Sequence, residues 1–233
     1  MPEEKVLTEE NAELETAAVL EIDIARVLSQ NRLNFLFKRI FDVAVSALGL
    51  IICSPLLLVI SLLVLFTSRG GVFFKQIRIG KDAREFKIFK FRTMVKDAEK
   101  ISGSLTIGKD KRITKIGHFL RGTKLDELPQ LINVFFGDMS FVGPRPEVPK
   151  YVALYTPAQR ELLRLRPGIT DLASIKYISE SALLAQSDDP EQTYIQVIMQ
   201  EKLQLNLLYL DSVSVLNDIK IILRTFGKIF SRQ

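Results

Sequence analysis

A chain of 233 residues can bury a real core in one or two domains, and 47% apolar with 25% charged residues excludes both a disordered tail and a polytopic transporter. Its one cysteine, Cys53, excludes an internal disulfide and a multi-cysteine zinc site and fits a reducing compartment or its membrane face; its one histidine, His118, excludes a multi-histidine metal centre. The net charge of +5 is uneven, with −6 on residues 1–30 and +11 on the rest, a basic body suited to phosphates, anionic lipid or nucleic acid.

Residues 1–34 read as an acidic leader, amphipathic or disordered, serving regulation or self-association into a homo-oligomer. No signal peptide is expected, because the apolar run starts near residue 43 behind an acidic flank. That run, between Asp42 and Arg69, holds 26 residues without a charge. As a straight helix it would measure about 39 Å against a hydrocarbon core of roughly 30 Å, so a single transmembrane span is one reading. The other is a re-entrant hairpin over residues 35–70, broken at Ser54-Pro55, with arms of about 18–20 Å. Arg32, Lys38 and Arg39 precede the run and Arg69, Lys75, Arg78 and Lys81 follow it. Basic flanks mark the cytoplasmic side, and basic flanks on both sides favour the hairpin.

Residues 72–79 and 86–93, parted by Gly80-Lys81-Asp82, predict a β-hairpin with one apolar and one cationic face. Helical character is expected from Met94 to Lys100, a loop from Gly103 to Asp110, and a helix over 111–121 from the spacing of Ile113, Ile116, Phe119 and Leu120. A further helix follows Asp126-Glu127 and ends at Gly137, and Pro144-Arg145-Pro146 must be extended. A short helix over 157–165 stops at Pro167-Gly168, and Asp189-Pro190 starts another. From Leu216 on, Ile219, Leu223, Phe226 and Phe230 form an apolar stripe beside Lys220, Arg224, Lys228 and Arg232. Such a helix lies on anionic lipid or packs on a core with its basic face in water. The fold class is therefore α+β, mostly helical: a membrane helix-break-helix, a small β-hairpin and amphipathic interfacial helices, with residues 71–233 as a cytoplasmic-face body.

The chemistry concentrates in residues 121–146. Gly80-Lys81 lacks the first glycine and the Ser/Thr of a phosphate-binding loop, and no G-x-G-x-x-G occurs. His118 stands among lysines with no triad motif and reads as an ordinary exposed histidine. An adjacent acid pair is usually only solvated, but Asp126-Glu127 lies between Arg121 and Arg145 and before a helix. A helix N-terminus would hold Asp126 as the anion, ready to attack phosphorus. Glu127 offers a hard oxygen ligand for Mg²⁺, which binds through one or two carboxylates plus substrate phosphates. Arginines pair bidentately with phosphate oxygens, and flanking prolines would fix Arg145 for that purpose. Positive charge flanking an apolar segment favours a lipid bilayer over nucleic acid as partner.

The block LDELPQLINVFFGDMSFVGPRP, with KFRTM (Lys90 to Met94), RPGIT (Arg166 to Thr170) and KRIFD (Lys38 to Asp42) before a Ser-Pro apolar stretch, resembles the bacterial sugar transferases, the small monotopic phosphoglycosyl transferases. The resemblance covers roughly residues 35–230, with the motifs in the family's order. It implies transfer of a sugar phosphate from a UDP-sugar to polyprenyl phosphate at the bacterial inner membrane, with Mg²⁺, releasing UMP and initiating glycan assembly. It implies Asp126 as a nucleophile forming a covalent phosphosugar intermediate and Glu127 as the partner holding the metal. It places Arg121, Arg145 and Lys90 around the phosphates and makes Ser54 and Pro55 the membrane break. After RPGIT the family commonly continues Gly-Trp-Ala-Gln, whereas this chain has Asp171-Leu172-Ala173-Ser174, which leaves the sugar open. The competing expectation is a non-catalytic adaptor whose basic body binds anionic lipid.

Overall fold

The computed structural model describes residues 24–231 apart from 69, 104 and 211. The acidic residues 1–23 and the basic residues Arg69 and Arg232 lie outside the described residues. Helix α1 (Ile24–Gln30) leads into α2 (Arg32–Thr67), a helix of 36 residues. Lys38, Asp42, Ser46, Ile60 and Val64 are buried along α2, at spacings that put them on one helical face. The remaining faces expose Leu48, Ile51, Leu58 and Phe66.

The start of α2 is fastened to the body by polar contacts. Lys38 forms a buried ion pair with Asp218, whose other oxygen accepts from the Tyr209 hydroxyl at 2.6 Å. Arg39 donates to the carbonyls of Val134 (2.7 Å) and Phe135 (3.0 Å), and Asp42 accepts from the Phe141 N–H at 3.1 Å. The end of α2 is fastened by packing of Ile60 and Val64 on Phe91 and Leu120. Removing one partner of a buried pair strands the other charge. Lys38→Met is therefore expected to lose about 3–5 kcal/mol, read as lowered thermal stability in detergent.

The expected interruption at Ser54-Pro55 is not a gap in α2, which stays helical through Pro55. Proline removes the N–H that would bond the Ile51 carbonyl, and the Ser54 hydroxyl donates to that carbonyl instead, at 2.8 Å.

Strands β1 (Phe73–Ile79) and β2 (Glu85–Phe91) pair antiparallel as expected, with Phe74 opposite Lys90 and Arg78 opposite Phe86. Their faces are not divided into apolar and cationic. The more buried face carries Gln76, Arg78 and Lys90 beside Phe86 and Ile88, so two cations turn inward. Asn133 fastens the hairpin edge, accepting from the Phe89 N–H (3.0 Å) and donating to the Lys87 carbonyl (2.8 Å).

The helix expected from Met94 begins only at Ala98, because Met94 bridges Ile113 as a strand would. Ile113 is thereby withdrawn from α3 (Lys115–Gly122), which the Thr114 hydroxyl caps. Helix α4 (Gln130–Phe136) ends at Gly137 in the left-handed region, φ 96°, as a C-cap requires. Strands β3 (Ser140–Val142) and β4 (Gly168–Thr170), which the sequence does not announce, pair in parallel on either side of Pro144-Arg145-Pro146. The helix over 157–165 is a capped turn at Pro157–Arg160 followed by a 3₁₀ turn.

Helices α5 (Leu172–Lys176), α6 (Met199–Leu210) and α7 (Val215–Phe230) complete the body. The largest core cluster joins Val142, Tyr151, Leu162, Ile198, Leu210 and Ile221. Helix α7 buries Asp218 and Ile221 but exposes Leu216 (74%), Leu223 (64%) and Phe226 (55%). The predicted apolar stripe therefore faces outward at Ile219, Leu223 and Phe226, next to exposed Lys220, Arg224 and Lys228, with the Phe230 side chain outside the described residues, and core packing uses a different face of the helix.

Candidate active site

The acidic pair is positioned from both sides. Helix α3 ends at Gly122 with Thr123 as its C-cap, Lys124 turns through the left-handed region (φ 59°), and a 3₁₀ turn spans Leu125–Glu127 before α4. Leu125 packs against the Phe91–Leu120 cluster, which anchors the turn and sends Asp126 and Glu127 into an open cleft of 1220 Å³. Lys90, Arg121 and Arg145 line the same cleft. The five site residues predicted from sequence are thus brought together, while Ser54 and Pro55 sit apart from them, exposed on α2.

Glu127 is the hub. Its Oε1 accepts from Lys90 Nζ at 3.0 Å and Arg145 Nη2 at 2.6 Å, and Arg145 Nη1 lies 3.4 Å from Oε2. Burial alone would raise the Glu127 pKa, but Arg145 and Lys90 overcome it and hold the carboxylate well below its usual range. Burial pulls the Lys90 pKa down, with Glu127 opposing. The Arg145 guanidinium, facing Glu127, is held above its usual value. Arg145 is fixed further by bonds from Nη1 to the Ile169 carbonyl (3.0 Å) and from its backbone N–H to Asp171 (3.2 Å).

Asp126 behaves differently. It is 7% exposed, and its Oδ1 is buried with no hydrogen-bond partner. Burial first, and Glu127 second, push its pKa up, with Lys90, Lys124 and Arg121 opposing. The expectation that a helix N-terminus would hold Asp126 as the anion is therefore corrected: the residue sits on a 3₁₀ turn ahead of the helix, and burial dominates. Arg121 donates to the hydroxyls of Thr93 (2.8 Å) and Thr106 (3.2 Å) and forms no ion pair with a described residue. It lines the cleft, where Asp126 and Asp110 act on its charge without a direct ion pair.

No group of three or more metal-ligating side chains occurs among the described residues. A Mg²⁺ ion that takes most of its oxygens from phosphate and water does not need one. A carboxylate offers about four lone-pair positions, and Lys90 and Arg145 leave one on Glu127 Oε2. Together with the unpartnered Asp126 oxygen, the donor set fits a hard divalent cation.

Sequence reasoning passed over Arg78 and Thr93, and saw Asp171 only as a departure from a motif. Arg78 and Thr93 both line the cleft. The strict alternation of Phe74, Gln76 and Arg78 is the signal that would have turned Arg78 to the face of Lys90. The Asp171 contact joins segments 26 positions apart and has no local signal.

The model of the bacterial sugar transferase family matches residues 33–232. The chain is 41% identical over 205 residues to a UDP-glucose:undecaprenyl-phosphate glucose-1-phosphate transferase of Klebsiella pneumoniae, covering 86% of this chain and 41% of that protein. It is 38% identical to the protein of the same name in Escherichia coli K12, covering 84% of this chain and again 41% of the relative. It is 36% identical to the exopolysaccharide production protein PSS of Rhizobium leguminosarum bv. phaseoli, covering 85% of this chain and 96% of that protein. The chain thus spans less than half the length of the two glucose-1-phosphate transferases. With a family model running along α2, the hairpin and the whole cleft, this chain belongs to the bacterial sugar transferases.

Proposed function

We propose that the protein transfers a sugar 1-phosphate from a UDP-sugar to undecaprenyl phosphate, releases UMP and so initiates assembly of a glycan such as an exopolysaccharide. The observation that carries this is the contrast within the acidic pair. Glu127 is clamped by Lys90 and Arg145, while Asp126, one residue away, keeps a carboxylate oxygen without a partner. A desolvated carboxylate amid cations suits nucleophilic attack on an anionic centre.

In the first step an Asp126 oxygen forms a bond to the sugar-bearing phosphorus. The bond from that phosphorus to the bridging oxygen breaks, and UMP leaves with the oxygen and the electron pair. In the second step an oxygen of undecaprenyl phosphate bonds to the same phosphorus, and the Asp126–phosphorus bond breaks, restoring the carboxylate. Lys90, Arg121 and Arg145 offset the repulsion as two anions approach. Glu127, with Asp126 beside it, would hold Mg²⁺, which supplies further charge neutralisation when bound.

A lipid acceptor would put the site at a bilayer, and we assign it to the cytoplasmic face of the inner membrane, to which the basic flanks of the apolar run point. We assign residues 35–70 to a re-entrant membrane element and 71–233 to the catalytic body. Support comes from α2, whose two ends dock on one body while Ile51, Ile52, Leu56 and Leu58 between them are exposed. The outward stripe of α7, with basic neighbours, suits the interface of an anionic membrane. Single cysteines placed at residues 35 and 70, in a Cys53→Ser background, are both expected to resist an impermeant thiol reagent on intact cells. Labelling at one end alone would leave the single span standing.

The activity is tested by mixing the protein with a panel of UDP-sugars and undecaprenyl phosphate. UMP release is expected with at least one sugar and is expected to stop on chelation by EDTA. An adaptor would release no UMP and acquire no radiolabel from any sugar nucleotide.

A further inference from the structure

One cation in the cleft has no part in the chemistry above. Arg78 on β1 donates from Nε to Gln76 Oε1 (2.9 Å) and from Nη1 to the Pro146 carbonyl (2.9 Å). Glu147 Oε1 is 3.6 Å away and is shared with the Tyr194 hydroxyl, which donates to it at 2.9 Å. Arg78 Nη2 makes no hydrogen bond to a described residue. The side chain is 21% exposed and lines the cleft, so it is largely desolvated yet open to a ligand. Two N–H donors of a guanidinium left unused in such a place call for an anion.

Contacts order the cations across the cleft. Asp126 adjoins Glu127; Glu127 holds Lys90 and Arg145; and the carbonyl of Pro146, next to Arg145, holds Arg78. Arg121 and Lys124 are among the charges that act on Asp126 itself. A donor with two linked phosphates must put the attacked phosphorus at Asp126. Its second phosphate then extends along the row toward Arg145 and Arg78, or back toward Arg121. Arg121, one of the charges acting on the attacking carboxylate, is taken up there by the reacting phosphoryl group.

We propose that Arg78, through its unused Nη2, binds the nucleotide-side phosphate of the donor, the group that departs as UMP. This rests on the transferase function proposed above. When Asp126 attacks, the bridging P–O bond breaks and its electron pair stays on that phosphate, whose negative charge grows. A guanidinium there stabilises the departing group and the bound product alike.

A bare brace for the Pro144–Pro146 segment is the competing role, and half-reactions separate the two. A brace supports Arg145 in both steps, whereas a leaving-group contact matters only in the first. The full-length chain and its Arg78→Ala and Arg78→Lys variants would be compared in nanodiscs, with UDP-glucose, UMP and undecaprenyl phosphate as probes. For Arg78→Ala, loss of a charge-assisted contact is expected to weaken UMP inhibition about tenfold and to slow the UMP burst without acceptor by a similar factor. Transfer from the preformed labelled protein to undecaprenyl phosphate should change less than about twofold, within the scatter of a contact not made in that step. Arg78→Lys should fall between, since ammonium restores charge but not the fork. Equal slowing of both steps, or unchanged UMP inhibition, overturns the proposal. Should Arg78→Ala fail to fold, the same comparison on Arg78→Lys decides. Should the wild type give no labelled intermediate, the covalent mechanism fails instead, and the equilibrium affinity of wild type and variant for UMP still tests Arg78.

Discussion

Asp126→Asn is expected to remove more than about 99% of turnover and all covalent labelling, and at the same time to raise thermal stability at pH 7. The two effects share a cause. Burial, aided by Glu127, lifts the Asp126 pKa above its ordinary value, so the folded state binds a proton more tightly than the unfolded chain. Ionisation therefore destabilises the fold above the ordinary carboxylate range, and the penalty fades as pH falls below it. An uncharged isostere escapes that penalty. The gain in Tm, at roughly 2–4 °C per ~1 kcal/mol for a chain of this size, should shrink to nothing once the solution protonates Asp126 in both states. Glu127→Gln should do the opposite. Burial of Glu127 is overcome by Arg145 and Lys90, its pKa is depressed, and its stabilisation is present above the unfolded pKa and lost as pH falls through the folded one. Melting curves of both variants from pH 3 to pH 8 check the signs. An Asp126→Asn protein that melts lower at pH 7 contradicts the electrostatic account, and one that retains full activity ends the nucleophile assignment.

Gly168→Ala is expected to disable the proposed activity from outside the charge cluster. A Cβ at Gly168 would stand 2.2 Å from Gly143 N, 2.5 Å from Gly143 O and 2.7 Å from Thr170 O. All three are backbone atoms and cannot swing aside. The parallel pairing of β3 and β4 would have to open, and with it the bond from Gly168 N–H to the Pro144 carbonyl (3.0 Å) that orients the arginine loop. The expected loss is at or beyond about 3 kcal/mol, the upper end for overpacking, with a fall in activity from misplaced Arg145. Gly227→Ala is the matched control. Nothing lies within 4 Å of its Cβ position, and it sits inside α7, so alanine should be neutral or add up to ~1 kcal/mol. Equal melting temperatures for Gly168→Ala and wild type would contradict the close approach of these strands.

Much of the site was legible because its signals are local. Adjacent acids before an apolar helix, an arginine between prolines and a glycine after Phe136 each declare themselves within a few residues. The β-hairpin was legible from its turn, but not its faces: the two inward cations depend on a partner surface that alternation alone does not supply. Strands β3 and β4 escaped notice because each has three residues and they pair across 28 positions. The electrostatic split within Asp126-Glu127 escaped for the same reason, since Lys90 comes from the hairpin and Arg145 from a loop beyond α4. On α7 the periodicity was correct but two-faced; only packing showed that Asp218 and Ile221 turn inward and leave the apolar stripe outside.

The fastening of α2 at both ends carries a mechanical consequence. Lys38, Arg39 and Asp42 grip the body at one end, and Ile60 and Val64 at the other, so anchor and cleft move as one piece. A protein built this way would not raise or lower its cleft independently of α2. On the membrane assignment proposed above, the depth to which the apolar stretch settles would set the standing height of Asp126 above the lipid headgroups. Bilayer thickness would then act as a ruler for the proposed transfer: acyl chains too short or too long would tilt or lift the whole unit and carry the carboxylate away from the plane where lipid phosphates lie.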